Sequence, residues 1–385
     1  MSRPMWVRAG VLVGVAVLGI SACSSSKKTA ATSSSATSSA AGGSSQSSSG
    51  GASTAASATA ATGATASIKV MVGGLSKQIY LPFMLAKQLG FYDQQGLNVS
   101  LLDEPAGVDA ETDMLAGKVD AVGGFYDHNI ALQGKGKATE SVVSMLLTPG
   151  EVELCRTDLQ GTIKSPADWK GKHLGITDLG SSTDFLTQYL ATKNGVAVSD
   201  IHELGVQAGT TLIAAMEHKQ IDCAMTTEPT VSALLQKKDA YIILDMRTAA
   251  GAKAALGGEY PATSLYLQSS FATAHKDTVQ KLVNAYVETL QWIQSHTADQ
   301  ITDKMPADYY AGTGRAAYVA ALNSEKGIYN PTGIMPADGP PVCLNVLAAN
   351  PAVKGKTIDL TKTYTDEFVK QALSTLPSAS AAASS

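Results

Sequence analysis

Gly180-Ser181-Ser182-Thr183 stands between an apolar run, His173 to Thr177, and a segment of helical pattern that reaches about Lys193. A glycine turn followed by hydroxyl residues at a helix start leaves backbone N–H groups without intrahelical acceptors. Ser and Thr hydroxyls and the helix dipole add to them, which makes a receptor for a small anionic group such as a carboxylate, sulfonate or phosphate. The same residues also serve as plain helix caps, so the pattern alone leaves both readings open. Gly73-Gly74-Leu75-Ser76 repeats the arrangement in weaker form after the run Ile68 to Val72, which makes Gly74 and Ser76 candidates. Gly123-Gly124-Phe125-Tyr126-Asp127-His128-Asn129 follows a third apolar run. Its glycines permit close backbone approach, and Phe125 and Tyr126 could stack on a ligand or pack in a core. Asp127 reads first as a helix N-cap, and His128 as a helix residue or a ligand contact. Thr227-Glu228-Pro229 ends another strand, at the end where α/β sheets face a ligand crevice. Thr227 and Glu228 could meet a polar ligand group, a hinge amide or solvent. Tyr80, Tyr266 and Asp178 complete the candidates.

Catalysis finds little support. There is no nucleophile elbow, no H-E-x-x-H, no phosphate-binding P-loop and no G-x-G-x-x-G after a strand, and the six histidines are scattered without metal spacing. Neither a cofactor nor a metal site is expected, and the chain reads as a binder and not an enzyme. The four cysteines, Cys23, Cys155, Cys223 and Cys343, lack C-x-x-C spacing. In an oxidising compartment the last three allow one disulfide and one free thiol, with the pairing left open.

The elements that must hold these loops alternate between strand and helix. Ile68 to Val72 runs through a glycine turn into a helix from about Tyr80 to Leu89. Leu97 to Leu102 predicts a strand, Ala106 to Ala116 a helix, and Ala121-Val122 a strand ending at Gly123-Gly124. The order recurs with His173 to Thr177, a helix to Lys193, Asp200 to Leu204 as strand, Thr210 to His218 as helix and Ile221 to Met225 as strand. Such alternation indicates parallel strands with helical crossovers. The corner Met114-Leu115-Ala116-Gly117-Lys118-Val119-Asp120-Ala121 is loosely repeated in Ala215 to Ala224, which suggests two similar lobes. Tyr241 to Leu244 and Ser264 to Gln268 predict further strands, the latter where the chain could return to the first lobe. A long amphipathic helix, Lys276 to Ser295, and shorter ones near Gly314 to Leu322, Val342 to Leu347 and Thr365 to Leu373 follow.

The ends carry no fold signal. Arg3 and Arg8, an apolar stretch from Val11 to Ile20, and Ile20-Ser21-Ala22-Cys23 form a three-part secretory pattern whose apolar core is too short for a spanning helix. Residues 1–22 read as a lipoprotein signal peptide. Residues 23–67, almost wholly Ser, Ala, Thr and Gly, read as a flexible tether, and 377–385 as a similar tail. Residues 68–152 are expected to begin lobe 1, 153–247 to form lobe 2, and 248–376 to return to lobe 1. The net charge of −4, with no block rich in Lys or Arg, argues against a nucleic-acid partner. A monomer is expected.

Leu81-Pro82-Phe83-Met84-Leu85-Ala86-Lys87-Gln88-Leu89-Gly90-Phe91-Tyr92, followed by Gln95-Gly96-Leu97-Asn98-Val99, resembles the opening signature of the nitrate/sulfonate/taurine and thiamine-precursor class of ABC substrate-binding proteins. Gly117 to Ala121, Asp168-Trp169-Lys170-Gly171-Lys172-His173-Leu174-Gly175, Gly180 to Thr183 and Ile221-Asp222 through Glu228-Pro229 fit in the right order. The resemblance implies an α/β type II periplasmic-binding-protein fold, two lobes joined by two crossover segments and closing by a hinge around the ligand. It also implies an importer made of a permease and an ATPase as partner, and assigns Gly180 to Thr183 to the polar or anionic end of the ligand. Ile20 to Cys23 resembles a bacterial lipobox. That implies diacylation of Cys23 with palmitate-type chains and an extracytoplasmic place on the cell membrane. The bulky first-lobe loop departs from the glycine-serine loops of alkanesulfonate binders and suits a heterocyclic or aromatic solute as well as an anion. A sensor or surface antigen without transport is the alternative, and an exported enzyme of this fold a more distant one. Relatives that make a thiamine pyrimidine precursor carry a cysteine-rich iron motif, and this chain has none.

Overall fold

A computed structural model describes residues 65–376. The expected signal peptide, Cys23, the tether up to residue 64 and the tail 377–385 lie outside the described residues. No described helix is long and apolar enough to cross a membrane.

Ten strands form two sheets. The first holds β1 (Ala66–Val72), β2 (Leu97–Asp103), β3 (Ala121–Phe125), β4 (Thr139–Ser144) and β10 (Thr263–Gln268), in the order β2-β1-β3-β10-β4. The second holds β5 (Val152–Arg156), β6 (His173–Ile176), β7 (His202–Gly205), β8 (Cys223–Thr226) and β9 (Ala240–Asp245), in the order β7-β6-β8-β5-β9. In each sheet the second strand pairs in parallel with both neighbours, β1 with β2 and β3, and β6 with β7 and β8. The fourth strand, β10 or β5, is antiparallel to both of its neighbours. The chain leaves the first sheet after β4, enters the second at β5, leaves it after β9 and returns at β10. These are two crossovers, and the architecture is the type II periplasmic-binding-protein fold.

Burial explains the local choices. In β1 the exposed Ser67 and Lys69 alternate with buried Ile68 and Val70, and from Val70 to Val72 both faces are covered, as expected for parallel strands flanked by helices. The helix Leu81–Gln88 starts with Pro82 in its first turn, where a missing N–H is harmless. The long helix Lys276–Ser295 lies where its amphipathic pattern placed it. It packs on Leu81–Gln88, with Phe83 and Tyr286 ring centroids 5.1 Å apart, edge to face.

Two features differ from the sequence expectation, and a third settles a pairing that it left open. β3 does not end at its glycines but runs through them to Phe125. A side chain at Gly123 would lie 2.5 Å from the Phe83 ring, and one at Gly124 would lie 2.9 Å from the Tyr266 ring. These glycines therefore make room for packing and not for a ligand. β4 and β5 were not anticipated, because Thr139, Glu140 and Ser141 in one and Glu153 in the other interrupt the apolar pattern. The cysteines resolve into a Cys155–Cys223 disulfide and a buried free Cys343. Cys155 and Cys223 stand directly opposite each other on antiparallel β5 and β8.

Candidate functional site

Between the two sheets lies a cavity of about 20 Å³, walled by both lobes. The first lobe presents Lys77, Tyr80, Phe125 and His128, with Gly73 and Gly107 as backbone surface, and the first crossover adds Glu151. The second lobe presents Thr177, Ser181, Ser182 and Thr183.

On the second-lobe side, the chain turns at Gly180 (φ +82°) into the helix Ser182–Lys193. The hydroxyls here are committed to one another. Thr177 Oγ1 lies 2.9 Å from Ser181 Oγ and 2.7 Å from Thr183 Oγ1. Ser181 Oγ donates to the Asp178 carbonyl at 2.6 Å, and Thr183 Oγ1 accepts the Thr177 N–H at 2.9 Å. Ser181 is the N-cap residue, yet its side chain caps nothing. The N–H groups of Ser182, Thr183 and Asp184 consequently have no acceptor among the described residues. Three open amides stand at the positive end of a twelve-residue helix, an arrangement that favours negative charge.

The first-lobe side adds charge. His128, fully buried, donates from Nδ1 to Glu111 Oε2 at 2.8 Å, and Lys135 approaches the other Glu111 oxygen at 3.5 Å. Burial alone would lower the His128 pKa, but the Glu111 hydrogen bond and charge outweigh it and hold the imidazole above its ordinary value. Lys77 Nζ donates to the carbonyls of Gly73 at 2.8 Å and Pro105 at 3.1 Å. Burial keeps this ammonium below its usual range despite the attraction of Glu151 and Asp103. Burial also raises the Glu151 carboxyl to about 7, against the pull of Lys77.

These motifs have matches among known proteins. Residues 78–299, more than half of the chain, match the family model described as NMT1/THI5 like. The chain belongs to the NMT1/THI5-like family. A solved structure of a protein from Bordetella bronchiseptica RB50 is 34% identical, with a TM-score of 0.77 over 80% of this chain and 97% of that one. Among curated proteins, the candidate binding protein YtlA of Bacillus subtilis (strain 168) is 24% identical over 63% of this chain and 71% of its own. The alkanesulfonate-binding protein SsuA of Xanthomonas axonopodis pv. citri, solved with MOPS, shares the fold with a TM-score of 0.61, at 17% identity over 79% of this chain and 99% of that one. The family is the one that the ordered sequence motifs pointed to.

In this member of the NMT1/THI5-like family the cavity brings together Tyr80, Phe125, His128, Ser181, Ser182 and Thr183 of the sequence candidates. The others lie elsewhere. Gly74 and Ser76 border a neighbouring concavity of about 380 Å³, together with Asp103, Gln207 and Thr230; Lys77 lines both spaces. The Tyr126 ring turns into the first-lobe core, where its hydroxyl meets Thr363 Oγ1 at 2.5 Å. The Gly180 amide is taken by Asp184 Oδ2 at 2.7 Å. Glu228 Oε1 accepts from Arg247 at 2.7 Å and Oε2 from the Ser232 N–H at 3.0 Å, while its carbonyl accepts the Gln78 N–H at 3.0 Å. It is a lobe-to-lobe residue. Thr227 is buried beside it, its hydroxyl without a partner among the described residues. Tyr266 packs over His128, ring centroids 6.3 Å apart, and Asp178 supports the Leu179 and Ser181 turn.

Sequence reasoning missed Lys77, Gly107, Glu151 and Thr177. Thr177 directly follows β6, so the strand-end rule applied to Glu228 would have found it. Lys77 lies in the loop already chosen for its glycine. Glu151 directly precedes β5, a strand that the alternation did not reveal.

Proposed function

We propose that the chain is an extracytoplasmic solute-binding protein, anchored through acylated Cys23, that captures a small organic anion between its lobes and presents it to the permease and ATPase of an ABC-type importer. The observation that carries this reading is the convergence of two open helix-start amides (Ser182, Thr183) with Lys77 and the Glu111-supported His128 on one cavity between the lobes. Amides and cations from opposite walls can be satisfied together by one carboxylate or sulfonate, which the lobes would part to admit, since about 20 Å³ holds little more than one water. Phe125 and Tyr80 supply apolar surface for the body of the solute. With Tyr126 turned away, the balance moves from an aromatic ligand toward a compact anion. The name of the alkanesulfonate-binding neighbour supports the same class, and the candidate binding role of the Bacillus relative supports capture over turnover.

Thermal shift against methanesulfonate, MOPS, acetate, benzoate, nitrate and a neutral pyrimidine tests it. An organic sulfonate or carboxylate should raise the melting temperature by mass action, and the neutral heterocycle should not. A response to the heterocycle alone would overturn the anion reading. Mass spectrometry of the membrane-extracted protein checks the anchor, which requires an acylated N-terminal Cys23.

A further inference from the structure

Asp127 has no sequence signal beyond that of a helix start, yet its carboxylate is fully buried and joins three parts of the chain. Oδ1 accepts the Ser182 hydroxyl at 2.7 Å, from the first turn of the second-lobe helix, and Oδ2 accepts the Tyr260 hydroxyl at 2.5 Å, from the second crossover. Asp127 itself opens the helix Asp127–Gly134 after β3 of the first lobe. Both oxygens are thus occupied by the protein, which leaves the carboxylate no vacancy for an anionic ligand and would repel one. The Ser182 hydroxyl likewise points at Asp127, while the Ser182 amide remains open toward the cavity.

We propose that Asp127 and Ser182 form a latch that holds the two lobes closed, with Tyr260 as the fixed post that orients the carboxylate. The latch and the anion receptor share residue 182 but use different atoms of it: the side chain closes the lobes and the main chain faces the ligand. Closure therefore brings the helix start to its working position without consuming its donors. The hydrogen bond is charge-assisted and excluded from water, the condition under which such bonds are strongest. Opening the cleft breaks this bond but leaves Tyr260 on Asp127, so the carboxylate stays aimed at the place to which Ser182 returns.

The inference rests on the reading of the cleft as a site that opens and closes, but its test needs no ligand and can fail separately from the anion assignment. Spin labels are placed on the full chain at the exposed positions Lys118 on the first lobe and Lys170 on the second, and pulsed electron resonance gives their distance distribution. Loss of one charge-assisted bond in Ser182→Ala should raise the ratio of long to short distances by about tenfold or more. Asp127→Asn, which can accept from only one of the two hydroxyls, should move it in the same direction, and the double variant should add little to either single one. Should Asp127→Asn fail to fold, shown by circular dichroism, Ser182→Ala decides alone. Identical distributions for Ser182→Ala and the unsubstituted chain would overturn the latch. So would a double variant whose effect is the sum of the two, because independent sites add.

Discussion

Glu151 shows how a single residue can set the pH response of the cleft. It is buried at the end of the first crossover, one carboxyl oxygen has no partner among the described residues, and its value is raised to about 7 by burial, which outweighs the attraction of Lys77. A carboxyl raised in the folded state contributes fully below its ordinary value of 4.5. As pH rises from there to about 7 the unfolded chain gives up its proton while the folded chain keeps it, so stability falls across that window and levels off above it. By linkage the loss is up to about 3 kcal/mol. Glu151→Gln removes it, so urea unfolding should show the variant gaining on the unsubstituted protein between pH 5 and pH 8; parallel curves would mean that Glu151 ionises normally. At this scale the sequence was half legible. It located the turn of Ser181, Ser182 and Thr183, because glycine and hydroxyl residues at a helix start are a local pattern. It did not show that the hydroxyls bond among themselves and to Asp127 while the amides stay open, because Thr177 and Asp127 meet them only through tertiary structure.

Among the elements, the loosely repeated corner proves to be a structural repeat. Gly117 and Lys219 hold the same place after the helices Gly107–Leu115 and Thr210–Glu217, both with positive φ, +73° and +57°. Asp120 Oδ2 accepts the Lys69 N–H of β1 at 2.7 Å, and Asp222 Oδ2 accepts the His173 N–H of β6 at 2.9 Å. Each aspartate thus ties the entry of one strand to the parallel strand beside it. The second lobe pays a conformational cost that the first avoids, since a left-handed residue beyond a helix favours glycine over lysine. Lys219→Gly should stabilise the protein by about 0.5–1 kcal/mol, offset only slightly by loss of the exposed Lys219–Asp158 pair at 2.9 Å. Urea titration with an unchanged m-value checks it, and a destabilised variant would show that this pair or the lysine stem outweighs the strain. Around these corners the helices were readable because they bury residues at helical spacing, and the strands β3 and β8 because they are short apolar runs buried throughout. β4 and β5 were not, since Thr139, Glu140, Ser141 and Glu153 place polar groups where the alternation should be apolar.

For the molecule as a whole, the two lobes are built alike and joined through matching positions. In each sheet the fourth strand is the one that receives the chain from the other lobe, β10 in the first and β5 in the second, and the strand beside it, β4 or β9, is the one from which the chain departs. The two connections therefore lie side by side, a layout that permits the lobes to rotate about a narrow double hinge. On the second-lobe side that hinge is reinforced: Cys155–Cys223 fastens β5 to β8, and β8 leads into Thr227-Glu228, where the Glu228 carbonyl accepts the Gln78 N–H of the first lobe. The bond closes a loop between residues 68 positions apart, long enough for its removal to free substantial chain entropy in the unfolded state, about 2–4 kcal/mol. Reduction, or the pair Cys155→Ala with Cys223→Ala, should lower stability by that amount in denaturant titration. The effect should fall on the second lobe first, because the buried strands that the bond links are its centre. Hydrogen exchange read by mass spectrometry separates the lobes: faster exchange in β5, β6 and β8 with β1 and β3 unchanged is the expected result. Equal acceleration in both sheets would mean that the lobes unfold as one unit, and unchanged exchange after verified reduction would mean that β5 and β8 are held by their ladder alone.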